Sequence, residues 1–235
     1  MKSWKYPIFL LIFFSAILIF GACDKEDDKA PVVEDFSVRE NFDTFQNSIH
    51  RGWLAINNSR PIGSSTWQQG VYGLAFFGGY FGVPAHSHFA SATEYAYCEF
   101  SCGSGTATLS CWLISPVLQI KNGDVISFWT RISEPPVSYP DRLQVYVNTK
   151  NDGTDVGSDA GSTGDFSELL FDINPDLKVD AYPTDWKKYE WTVSGLSSTD
   201  RTKSRIGFRY FVTNGGPNGI NSNFVALDDF ELKAN

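Results

Sequence analysis

Two carboxylates in this chain sit where apolar side chains belong. In an extended strand successive side chains point to opposite faces, so residues 224–232 put Phe224, Ala226, Asp228, Phe230 and Leu232 on one side. Near the start, Phe36, Val38, Glu40 and Phe42 share a face, with Asp43 at its end. An isolated charge on a buried face is too costly, so such a carboxylate is protonated, paired or bound to a metal. If the first and last strands of a sheet pair, Glu40, Asp43 and Asp228 converge on one cation. An all-oxygen ligand set of this kind suits a structural Ca²⁺. The competing readings are edge positions whose charges reach solvent, or ion pairs with Arg39 or Arg209.

Other chemistry-bearing residues are sparse. His86-Ser87-His88 sets two rings on one face of a local strand, but no third ligand stands at zinc spacing. Cys98, Cys102 and Cys111 allow a disulfide between Cys98 and Cys102, or between either and Cys111, and any pairing leaves one thiol over. A metal site is the weaker reading of this trio, because no histidine lies near it. No base that would activate a catalytic thiol is identifiable. The chain has neither a Gly-x-Ser-x-Gly elbow nor a Gly-x-x-x-x-Gly-Lys loop. A carboxylate pair for glycoside hydrolysis can be picked from any set of 27 acidic residues, so it carries no weight here. The pattern points away from an enzyme.

The elements that position these residues begin after residue 35. Residues 1–22 hold Lys2 and Lys5, an apolar run over 8–20 broken only by Ser15, and the small pair Gly21-Ala22. The run is shorter than the ~20 apolar residues a membrane span needs, and has the form of a removed signal peptide. Phe20-Gly21-Ala22-Cys23 resembles the lipobox of bacterial lipoproteins. That resemblance implies cleavage before Cys23, a diacylglyceryl thioether on its sulfur and an acylated new amino terminus. Several acyl chains anchor stably, since each buried methylene adds about 0.8 kcal/mol. Residues 23–35 then read as a charged tether, and its acidic start resembles the surface-export signal of Bacteroidota lipoproteins, implying an outer-membrane, cell-surface location. Losing Lys2 and Lys5 with no acid moves the formal charge from −8 to −10. Without a basic stripe to neutralise phosphates, the chain is no partner for nucleic acid.

Aromatics at 15%, with 20 Gly and 11 Pro, favour short strands and many turns. Alternating segments occupy 125–132, 143–148, 186–193, 205–212 and 224–232, with Leu143, Val145 and Val147 on one face. Residues 150–165 form a polar, Gly-rich loop that no core would want. Many short strands without alternating helices imply an all-β antiparallel sandwich. No linker divides 36–235, which reads as one domain.

Asn41-Phe42-Asp43, Gly52-Trp53 and Thr66-Trp67-Gln68 resemble the opening of the choice-of-anchor J domain, a relative of the cleaved-adhesin domains of Bacteroidota. Trp112-Leu113-Ile114-Ser115-Pro116 resembles its most distinctive block. Ser127-Phe128-Trp129, residues 141–147, Trp186, residues 206–210 and Ala226-Leu227-Asp228-Asp229-Phe230 continue the order over nearly all of 36–235. The resemblance implies a two-sheet jelly-roll β-sandwich, similar to MAM domains and carbohydrate-binding modules, serving adhesion or glycan binding. It also implies a structural Ca²⁺ held by a carboxylate after the first-strand Phe and by an Asp near the carboxyl terminus. Those features carry over to Asp43 and Asp228 alone; Glu40 rests on the face argument.

The chain departs from that pattern between Gly70 and Cys111, where Phe and Tyr are interspersed with glycines. Sugars bind by stacking apolar faces on aromatic rings while polar groups fix the hydroxyls. Tyr80 and Tyr95 are the stacking residues this reading selects, with Glu94 as the hydroxyl acceptor; Phe76, Phe77 and Phe89 read as core. The amide-rich loop 213–223 either binds a sugar or merely turns the chain. The expectation is a lipid-anchored, non-catalytic surface module with glycan as leading ligand. A structural or adhesive domain that contacts proteins is the alternative, and a glycan-degrading enzyme the weaker one.

Overall fold

Every alternating segment becomes a strand. The structure, a computed structural model, describes residues 34–72, 75–76, 80–86, 94–133 and 138–235, with backbone alone for 75, 76, 80 and 81. The signal peptide, Cys23 and nearly all of the tether lie outside the described residues, as do Phe77, His88 and Phe89. The order is β1 (Val38–Glu40), α1 (Phe45–His50), β2 (Leu54–Asn57), β3 (Arg60–Ile62), β4 (Gln68–Val71), β5 (Ala75–Phe76), β6 (Tyr80–Phe81) and β7 (Glu94–Glu99). After a 3₁₀ turn (Phe100–Cys102) follow β8 (Gly103–Ile114), β9 (Leu118–Ile120), β10 (Val125–Arg131), β11 (Leu143–Asn148), β12 (Glu168–Ile173), β13 (Lys187–Thr192), β14 (Thr202–Gly215) and β15 (Phe224–Lys233).

Two antiparallel sheets form a jelly-roll sandwich. The first sheet runs β13-β10-β15-β7-β4, with β1 also on β15; the second runs β12-β11-β14-β8-β2, with β3 on β8 and β9 on β14. The first and last strands do pair: Val38 faces Leu232 and Glu40 faces Phe230. One edge of β15 is therefore shared, by β1 along 230–232 and by β7 along 224–227.

Alternation decides which residues meet between the sheets. Ile126 and Phe128 of β10, Leu143, Val145 and Val147 of β11, and Ile206, Phe208, Tyr210 and Val212 of β14 all enter one core. Trp53 sits at its centre, edge-on to Phe42 at 5.0 Å and to Phe230 at 5.2 Å. Burying one such side chain contributes about 1.5–3 kcal/mol relative to leaving it in water, so this inner layer dominates stability. Trp191 packs against the core, whereas Trp129 faces the other way.

Two expectations need correction. First, β15 does not alternate evenly. Ser127 pairs with Glu231 but Trp129 pairs with Asp228, so Asp229 and Phe230 together oppose Phe128. Asp229 has φ +45°, the left-handed conformation that lets a bulge add one residue. The bulge reverses the faces: Phe224 and Ala226 belong to an outer cluster, while Val225, Leu227, Phe230 and Leu232 face the core. Asp228 thus lies on the outer face, not beside Phe230 and Leu232.

Second, the polar loop 150–165 is not left in solvent. Its Val156, with Phe166 just beyond, packs on Trp112 and Ile114, which point outward from β8. Arg209, stacked over Trp112 and Phe211, donates to the Ala160 carbonyl and ties the loop down. This loop covers the outer face of the second sheet.

Candidate functional site

The first feature is an acidic corner where β15 changes partner. Asp228 is buried and accepts from the His86 and Asp229 backbone N–H groups at 3.0 and 2.9 Å. Burial, then the charges of Asp229 and Asp43, push its carboxyl up to about 8. Asp43 follows β1 in a turn, and Asn41 Nδ2 donates to it at 2.7 Å. Gln69 of β4 pins this turn, accepting from Phe45 N and donating to the Phe42 carbonyl. Asp43 and Asp228 therefore share one electrostatic neighbourhood.

Glu40 does not join them. Its carboxylate accepts from Arg51 Nε and Nη2 at 2.9 and 2.6 Å and from Phe42 N at 3.2 Å. Paired directly with Phe230, it sits on the core side of the sheet, opposite Asp228. The residue it pairs with is Arg51, neither Arg39 nor Arg209; Arg39 binds Glu231.

The outer face above this corner is capped. The His86 ring stacks on Trp129 with centroids 3.7 Å apart, and its Nδ1 lies 2.6 Å from Asp229 Oδ2. Trp186 Nε1 donates to the Pro84 carbonyl, and Val83 N donates to the Tyr95 hydroxyl. With the His86 backbone bond to Asp228, four hydrogen bonds thus fix segment 82–86 over the sheet. Tyr95 is fully buried beneath it, and burial pushes its hydroxyl up to about 12. Its ring supports the face and offers no surface for a ligand to stack on. Glu94 is half-buried at the start of β7, opposite Val71. The Tyr80 backbone lies in β6, paired with Phe76; its side chain is outside the described residues.

The second feature is an open cleft of about 220 Å³ at one end of the sandwich. Phe100, Tyr139, Gly216, Pro217, Gly219, Ser222 and Asn223 line it. Tyr139 is 42% exposed. The polar wall is already shaped: Gly216 N donates to Ser222 Oγ, and Ile220 N and Asn221 N both donate to the Asn214 carbonyl. Gly216 has φ +88°, and a Cβ there would stand 2.5 Å from the Gly105 carbonyl, so only glycine fits. Beneath the wall, Asn223 N donates to Asp141 Oδ1 at 2.7 Å. Asp141 is wholly buried, and that burial pushes its carboxyl up to about 7.

The amide-rich loop was visible in the sequence, and Phe100 stood among the aromatics of 72–100, but Tyr139 and its meeting with Phe100 were not. They reach the cleft from separate connections, so no local spacing links them to residues 216–223. A tyrosine inside the turn-forming Ser138-Tyr139-Pro140-Asp141 was the one available signal.

No protein-family model matches the chain, and no curated protein does. Its fold is similar to solved domains of Porphyromonas gingivalis W83. The K1 cleaved adhesin domain of Lys-gingipain is 18% identical over 85% of this chain and 98% of that one, with a TM-score of 0.51. The K3 cleaved adhesin domain of the same protein is 16% identical over 84% and 98%, with a TM-score of 0.50. At these identities the likeness is one of fold: the chain is a jelly-roll sandwich of the kind found in cleaved adhesin domains.

Proposed function

We propose that this chain is a non-catalytic binding module, held on the outer membrane by lipid on Cys23 and facing outward, with carbohydrate as its leading ligand. The observation that carries the reading is the end cleft, where the exposed Tyr139 ring stands beside a pre-shaped wall of hydroxyl, amide and backbone groups. A sugar needs that combination: one apolar face to stack and several fixed polar groups for its hydroxyls. The likeness to domains named as cleaved adhesins supports a binding role. A protein ligand is the second reading, favoured by Ile220, 72% exposed on the same loop.

Asp43 and Asp228 fit a structural Ca²⁺, because a half-buried and a buried carboxylate share a neighbourhood with Asp229. Glu40 does not fit, being bound to Arg51. Among the described residues, no carboxylate trio brings its oxygens within 4.8 Å of one another, so Ca²⁺ would take its remaining oxygens from backbone or water.

A broad glycan array probed with the full-length protein, with and without Ca²⁺, tests the ligand. Binding to a defined set of glycans supports the reading; silence under both conditions ends it. Cys23→Ser, expected to release the protein from membranes, tests the anchor.

A further inference from the structure

Cys98 lies on β7 of the first sheet and Cys111 on β8 of the second, while Cys102 sits in the turn that joins them. All three are fully buried free thiols, and their Sγ atoms lie within 4.8 Å of one another. Among the described residues no other three His, Cys, Asp or Glu side chains gather so closely. Ser59 Oγ donates to Cys102 Sγ at 3.8 Å, and Cys111 Sγ donates to Thr66 Oγ1 at 3.7 Å. The neighbours that bear most on the thiols are one another and these two hydroxyls, with no cation among them.

Three sulfurs so placed can surround one ion. With metal–sulfur bonds of ~2.3 Å, sulfurs in a three-coordinate shell stand about 4 Å apart. Charge and valence then choose the ion. A structural zinc wants a fourth ligand, and no His, Cys, Asp or Glu among the described residues completes the group. Cu(I) on three thiolates would bury two net negative charges without a partner. A trivalent centre on three thiolates is neutral and complete.

We propose that Cys98, Cys102 and Cys111 form a three-sulfur site for a trivalent thiophilic centre of the arsenite class. With As(OH)₃, three As–S bonds form and three As–O bonds break, and each thiol proton leaves with a hydroxide as water. No electron is transferred, and counted from three thiols the exchange creates no net charge. Burial pushes the Cys98 and Cys102 thiols up, while the hydrogen bonds Cys111 shares with Cys102, Cys98 and Thr66 outweigh burial and hold it low. Entry runs through the Phe100–Cys102 turn. Phe100 lines the end cleft, and Ser101 and Gly103 line a second surface hollow, so local opening of this corner exposes the sulfurs without global unfolding.

The test uses the full-length protein, reduced and freed of reductant, with arsenite as probe. One arsenic per chain should survive desalting, X-ray absorption should report three sulfur neighbours, and the melting temperature should rise. Cys98→Ser, Cys102→Ser and Cys111→Ser, each checked by circular dichroism, should retain arsenic at least tenfold more weakly; Cys23→Ser should retain it as wild type does. If a serine variant does not fold, the sulfur count on the wild-type protein decides alone. Two sulfur neighbours, no retained arsenic, or a disulfide within the trio that excludes arsenic overturns the site.

Discussion

Glu40 and Asp228 stand on opposite faces of the first sheet, because the bulge at Asp229 reverses the alternation along β15. Their chemistry divides accordingly. Glu40 is a structural partner of Arg51, and Asp228 belongs with Asp43 in the acidic corner. Glu40→Gln should cost about 1–2 kcal/mol, below the 3–5 of a fully buried pair because Arg51 is half-exposed. It should leave any calcium response intact. Asp228→Asn should abolish the rise in melting temperature that Ca²⁺ gives over chelator, since a native-state ligand stabilises only where it binds. Melts of both variants with Ca²⁺ and with chelator check this. A wild-type protein indifferent to both removes the cation.

The bulge itself rests on Asp229 at φ +45°. Aspartate and asparagine tolerate that region, and β-branched residues do not. Asp229→Val should destabilise by about 2–3 kcal/mol, combining backbone strain with loss of the His86 contact. Asp229→Asn should cost about 1 kcal/mol or less. Urea denaturation ranks the two, and equal stabilities would show that the bulge does not depend on this conformation.

The sandwich was legible because its strands are locally periodic: Leu143, Val145 and Val147 of β11 alternate in sequence and enter the core together. The pairing of β1 with β15, taken as a condition of the cation reading, is present, but it does not bring Glu40 and Asp228 together. What failed was a feature set by one backbone torsion. Nothing in the period of residues 224–232 signals that Asp229 adds a residue and turns Asp228 outward. Val156 was equally opaque: a lone apolar residue in a polar loop gains its meaning from Trp112, a distant partner. Tyr95 read as a surface ring because segment 82–86, which covers it, has no sequence signature of a cap.

Asp141 makes stability depend on pH. Its folded-state carboxyl titrates at about 7 against 3.8 for the ordinary group, the cause being burial, and its Oδ2 has no hydrogen-bond partner. Between those values the folded state holds a proton that the unfolded chain has lost. Stability should therefore fall as pH rises from about 4 to 7 and level off above, by up to about 4 kcal/mol from this group. Asp228, raised from 3.8 to about 8, acts in the same direction from the same lower bound and extends the fall to about pH 8. Asp141→Asn should flatten the lower part of the curve, measured as unfolding free energy against pH. An unchanged slope would mean that Asp141 is ionised in the native protein.

Tyr139 separates binding from folding. Its ring is 42% exposed at the rim of the end cleft, so Tyr139→Ala should change stability by no more than about 0.5 kcal/mol. A glycan stacked on it should bind at least about tenfold more weakly, equivalent to 1.4 kcal/mol. Gly216→Ala deforms the wall through the Gly105 carbonyl and should weaken binding and lower the melting temperature together. Titration of the best array glycan against both variants makes the comparison. If Tyr139→Ala binds as wild type does, the ligand sits elsewhere, and the capped outer face beside Trp129 and Trp186 becomes the surface to mutate.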